Sequence, residues 1–92
     1  MTEPIPEDAQ IRIAAQFRLQ WEDSQQAYVL LYPEGMVKLN SSAGEILSRC
    51  DGSRTVSDII ADLKQAFPEA DLKDDVMNLL SAARDSGWIC AD

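Results

Sequence analysis

Apolar and polar side chains alternate one by one over Phe17-Arg18-Leu19-Gln20-Trp21, the period-two signature of a half-buried strand. Residues 22–26 are polar and read as the turn that follows. Tyr28-Val29-Leu30-Leu31-Tyr32 is almost continuously apolar, which suits the middle strand of a sheet. Pro33-Glu34-Gly35 supplies the next turn, because proline fixes φ and glycine permits a positive one. Met36-Val37-Lys38-Leu39 is the third strand. Two short connections predict an antiparallel meander whose first and third strands lie at the edges.

At Asn40 the period changes from two to 3.6. Asn40 is placed to cap a helix by accepting a backbone N–H, with Ser42 and Glu45 as an alternative capping box. Ala43, Ile46, Leu47 and Cys50 have the i, i+3, i+4, i+7 spacing of a buried face, and Asp51-Gly52 reads as the end of that helix. Thr55 opens a second helix, with Asp58 complementing its dipole. Val56, Ile59, Ile60, Leu63 and Phe67 make its apolar stripe, and Pro68 stops it. Asp71 reads as the cap of a third helix whose core face is Leu72, Val76, Leu79, Leu80 and Ala83; Gly87 ends it, and Trp88-Ile89 folds back onto the core. The expected fold class is α+β, winged-helix-like: a three-stranded antiparallel sheet followed by three helices. The 92 residues form a single domain 1–92, with a disordered tail over 1–10, the sheet over 17–40 and the helical part over 41–90.

Composition narrows the function by exclusion. Sixteen carboxylates against eight Lys and Arg give a net charge of −8, a field that repels nucleic acid. No apolar run approaches the roughly 20 residues of a membrane span. The N-terminus lacks the basic start and apolar stretch of an export signal, so a cytoplasmic location is expected, with Cys50 and Cys90 as reduced thiols. There is no histidine, no phosphate-binding glycine motif and no paired-cysteine metal motif, so no catalytic residue, metal or cofactor is expected. The acidic pairs Glu22-Asp23 and Asp74-Asp75 read as turn and helix-start surface. Asp85-Ser86-Gly87 has the aspartate-serine of an acidic carrier protein, but at a helix end and before a glycine instead of a leucine. The second and third helices could form a helix-turn-helix. Their acidic recognition helix, with only Lys73, Arg84 and Asn78 to offer a base edge, argues against a winged-helix DNA-binding regulator.

The block Val29-Leu30-Leu31-Tyr32-Pro33-Glu34-Gly35-Met36-Val37-Lys38-Leu39-Asn40 resembles the PqqD family, small accessory proteins of pyrroloquinoline quinone biosynthesis. So do Cys50-Asp51-Gly52 with Thr55-Val56, and Gly87-Trp88-Ile89; together the resemblance runs from about residue 17 to residue 89. It implies a non-catalytic peptide chaperone that binds the precursor peptide PqqA by strand addition. It also implies presentation of that peptide to PqqE, a radical S-adenosylmethionine enzyme whose clusters are its own. A peptide-recognition module of another peptide-modification pathway is the neighbouring alternative.

In that family the peptide lies beside the third strand and the last long helix. Here those are Met36, Val37, Lys38, Leu39 and Asn40, whose unpaired edge groups suit an extended peptide. On the helix, Lys73, Met77, Leu80 and Arg84 share one flank at about 100° per residue, apolar in the middle and basic at the ends. Packing inside the core accounts for Met77 and Leu80 equally well. The other flank, with Asp75, Asn78, Ala82 and Ser86, is more polar. The acidic groups Asp58/Asp62 and Glu69/Asp71/Asp74 are candidates for the enzyme's contact. Open edges on so small a sheet permit either a monomer or a homodimer.

Overall fold

In the computed structural model, which describes residues 4–92, the α+β fold is built from two antiparallel sheets and three helices. The expected meander is there. β2 (Arg18–Glu22), β3 (Ala27–Tyr32) and β4 (Gly35–Lys38) form one sheet in that order, with Gln20 opposite Val29 and Val29 opposite Lys38.

The second sheet was not foreseen. β1 (Gln10–Ile13) lies between β5 (Asp51–Thr55) and β6 (Ile89–Ala91). Its sequence alternates as a strand should: Ile11 is fully buried, Arg12 exposed and Ile13 half-buried. The segment expected to be a tail contributes from residue 4 onward. Ile5 is buried in the core, the Ser57 and Val56 N–H groups donate to the Glu7 and Ala9 carbonyls at 3.0 and 3.1 Å, and Gln10 begins β1. A lone isoleucine between two prolines has no periodic neighbours to reveal it. Residues 1–3 of that expected tail lie outside the described residues.

The helices keep their expected order with corrected ends. α1 (Ser41–Leu47) is capped by Asn40, whose Oδ1 accepts the Ala43 N–H at 2.8 Å. It stops at Leu47, so Asp51-Gly52 is not its terminus; those residues open β5. Three residues of β5, 52–54, there stand against the single Ile11 of β1, and Gly52 takes φ +87° in the irregular stretch. α2 (Val56–Ala66) carries a full capping box between Thr55 and Asp58. α3 (Lys73–Asp85) begins after Leu72 with no side-chain cap, so Asp71 does not serve as one. Gly87, at φ +79°, turns the chain out of α3, Trp88 packs against the core as expected, and Ile89 enters it as the first residue of β6.

The main core lies where the second sheet meets the helices: Ile11 and Ile89 from the strands, Leu47, Ile59, Leu63 and Leu80 from α1, α2 and α3. Cys50 is part of it. Burial, and then the Asp51 charge, pushes its thiol from 9.0 up to about 12, which removes it as a nucleophile near neutral pH.

Candidate peptide-binding site

β4 has a neighbour on one side only. The Leu39 N–H donates to the Tyr28 carbonyl at 3.0 Å, which sets the alternation of the ladder. Val37, two residues back and opposite Leu30, therefore turns its N–H and C=O towards β3 as well. Met36 and Lys38 turn theirs away, to the open edge. Their side chains follow the same alternation on the other axis: Leu39 is buried and Val37 packs against the core, while Lys38 is exposed and Met36 is 50% exposed. Met36 and Lys38 thus offer both backbone and side chain to a newcomer.

The joint between β4 and α1 is tightly held. Asn40 spends its side-chain oxygen on the helix cap, so it fixes the direction in which the chain leaves the strand. One turn on, Gly44 touches β3: a methyl group added there would lie 2.8 Å from the Tyr28 ring. Tyr28 meets Trp21 edge to face at 5.1 Å, and Trp21 is 48% exposed.

Beyond the end of β4 an apolar cleft of about 200 Å³ opens among Ser41, Ser42, Ile46, Leu63, Phe67, Leu72 and Asp75. It lies where α1, the end of α2 and the start of α3 converge. Phe67, expected on the buried stripe of α2, is instead the cap residue just past the helix's end and forms an exposed wall of this cleft.

α3 turns differently from the expected orientation. Lys73 sits 3.5 Å from Glu7, and Arg84 shares a hollow with Pro4, Pro6 and Asp8. Leu80 is fully buried and Met77 is half-buried against the core. The flank Lys73–Met77–Leu80–Arg84 therefore faces the N-terminal segment at both ends, with Leu80 withdrawn from any surface. The opposite flank carries Asp75, which together with Leu72 lines the cleft beyond β4. The signal for this was present: Leu72 and Leu79 both extend the apolar stripe towards the Asp75 side, at about 100° per residue. The acidic residues considered for a second partner are partly engaged. Asp62 accepts from Arg49 Nε at 2.6 Å and Asp58 closes the capping box, whereas Glu69, Asp71 and Asp74 are exposed.

Among the described residues no group of three or more Cys, Asp or Glu is arranged to hold a metal. Among those residues no helix is long and apolar enough to cross a membrane.

A model of the family described as coenzyme PQQ synthesis protein D, PqqD, matches residues 27–89, from β3 to the start of β6. The chain belongs to the PqqD family. It is 53% identical over 74 residues to a "PqqA binding protein" of Azotobacter vinelandii, covering 79% of this chain and 80% of that one. A protein of the same name from Methylococcus capsulatus is 39% identical over 82 residues, covering 89% and 88%. The solution structure of the PqqD part of Methylobacterium extorquens PqqCD superimposes with a TM-score of 0.72 at 28% identity, covering 90% of this chain and 89% of that one. That PqqD unit is described as a functional and stand-alone recognition element for ribosomally synthesized, post-translationally modified peptides. The α+β fold described above thus matches that PqqD recognition element.

Proposed function

We propose that this protein is a non-catalytic peptide chaperone of pyrroloquinoline quinone biosynthesis, which captures PqqA by adding it as a strand beside β4 and presents it to the radical S-adenosylmethionine enzyme PqqE. The observation that carries the reading is the one-sided β4, with Met36 and Lys38 turned outward, in a chain closely similar to PqqA-binding proteins. An extended peptide gains main-chain hydrogen bonds at such an edge and specificity from alternate side chains. The peptide contact comprises Met36, Val37, Lys38 and the Leu39–Asn40 joint, and continues into the cleft at Leu72 and Asp75. Of the residues expected on α3, Lys73, Met77 and Arg84 lie outside this path, because they sit on the flank that faces the N-terminal segment.

The test is a titration with synthetic PqqA followed by backbone amide shifts. Shifts concentrated at residues 36–42 and 72–75 support the reading. Met36→Pro sharpens it: the lost N–H points outward, so the β3 ladder survives while one bond to the peptide cannot form. A folded Met36→Pro protein that binds PqqA as well as the parent does would defeat strand addition at β4.

A further inference from the structure

The face of the β2-β3-β4 sheet turned away from the main core carries two cations, Arg18 and Lys38, with Glu22 at its far end beside Gln20. Strand alternation sets Arg18, Leu31 and Met36 in one cross-strand row, and Gln20, Val29 and Lys38 in the next. The chain has twice as many carboxylates as cations, 16 against 8, so a cation finds a partner easily. Arg12, Arg49, Arg54, Lys73 and Arg84 each sit against a carboxylate. Arg18, Lys38 and Lys64 have no ion-pair or hydrogen-bond partner among the described residues; Lys64 is on α2, and Arg18 and Lys38 stand on this one face. Lys38 does so at the open edge, two residues from the half-exposed Met36.

A strand added beside β4 extends these rows by one side chain each. The two residues that continue them are two apart in the newcomer, on the same face, directly across from Met36 and Lys38. We infer that the segment of the bound peptide alongside β4 carries a carboxylate two residues from an apolar side chain, the carboxylate paired with Lys38 and the apolar group packed on Met36. The inference rests on the strand-addition reading above. The residue between them, across from Val37, turns to the opposite face of the sheet. A competing account makes Lys38 a guard, since an edge lysine discourages unwanted strand pairing. A guard works with a charge of either sign, so only the pairing account predicts weaker binding when the charge is reversed.

The experiment measures PqqA affinity at low salt for the parent protein, Lys38→Glu and Lys64→Glu. Lys64 lies on α2, outside the proposed site, and its reversal changes the net charge equally. Lys38→Glu is expected to weaken binding about fivefold, the scale of an opposed charged pair across strands, with Lys64→Glu close to the parent. A panel of PqqA peptides, each with one carboxylate replaced by lysine, then finds the partner: one peptide regains affinity for Lys38→Glu and loses it for the parent. Equal losses for the two variants, unchanged or tighter binding by Lys38→Glu, or no peptide that rescues it would overturn the inference while leaving the chaperone reading intact. A parent protein that binds no PqqA overturns that reading, and the inference with it.

Discussion

The two sheets are of equal size and opposite character. The β2-β3-β4 sheet is a local meander of residues 18–38, joined by two tight turns. The β5-β1-β6 sheet gathers strands from residues 10, 51 and 89 and ties the two ends of the chain together: Gln10 and Asp92 exchange backbone hydrogen bonds at 3.0 and 2.9 Å. Their burial differs accordingly. The second sheet lies within the main core through Ile11 and Ile89, whereas the meander's own buried residues, Val29 and Leu30, are not part of that cluster, and the meander packs against it through the half-buried Leu19, Tyr28 and Val37. One sheet is scaffold; the other is held out from the scaffold with an edge to spare. Division of labour of this kind lets a small domain expose backbone without losing its core.

The largest expected effect tests that division directly. Ile11→Ala, at the centre of the scaffold sheet, should cost about 2–5 kcal/mol, as deletion of buried aliphatic groups does. Met36→Ala, at the edge of the meander, should fall within about 0.5 kcal/mol of the parent. Urea denaturation of both variants checks the contrast. Equal losses would mean that the meander contributes as much to stability as the strands around β1.

The next effect lies at the seam between the two halves. Gly44→Ala forces a methyl group to 2.8 Å from the Tyr28 ring and 3.3 Å from its Cβ, close to the backbone where a side chain yields least. A loss of about 1–3 kcal/mol is expected, the range for overpacking. Loss of the Tyr28–Trp21 contact should accompany it as a change in tryptophan fluorescence, since Trp21 and Trp88 are the chain's two tryptophans.

A third effect belongs to the scaffold side and depends on pH. The Cys50 thiol is raised from 9.0 to about 12 by burial first and by the Asp51 charge second. Unfolding releases a thiol that ionises more easily than the folded one. The contribution is therefore complete below pH 9.0 and is lost as pH rises towards 12. The slope is at most about 1.4 kcal/mol per pH unit. Urea midpoints at neutral pH and at about pH 10 should fall further for the parent than for Cys50→Ala, and a parallel fall would remove the argument. In the folded protein a thiol reagent should reach the partly exposed Cys90 well before the buried Cys50.

The contrast between the sheets also explains what was legible in the sequence. Period-two alternation and a Pro-Glu-Gly turn act over a few residues, so the meander, its edge strand and its register with α1 could be read directly. β1, β5 and β6 are four, five and three residues long and pair only across the whole chain. Nothing within Gln10–Ile13 or Asp51–Thr55 says which distant segment lies alongside. The same limit governs the site. Alternation along one strand separates Met36 and Lys38 from Val37 and Leu39 without saying which pair faces out, and the facing of α3 depended on the N-terminal segment against which Lys73 and Arg84 sit. A helical wheel ranks faces by polarity, and here the more polar-looking flank lines the cleft because Leu72 and Asp75 converge there with Phe67 from α2.

The smallest effect separates two uses of one residue at the point where meander becomes helix. Asn40→Ala should lower stability by about 1 kcal/mol, the usual worth of a helix cap. On the strand-addition reading it should also loosen PqqA binding, because the cap sets the angle at which β4 hands over to α1 beside the cleft. Asn40→Asp keeps an acceptor for the Ala43 N–H and so should restore stability. If affinity returns with it, Asn40 acts on the peptide only through the geometry of the joint. If stability returns and affinity does not, the amide itself touches the peptide, and the binding edge extends one residue past the strand.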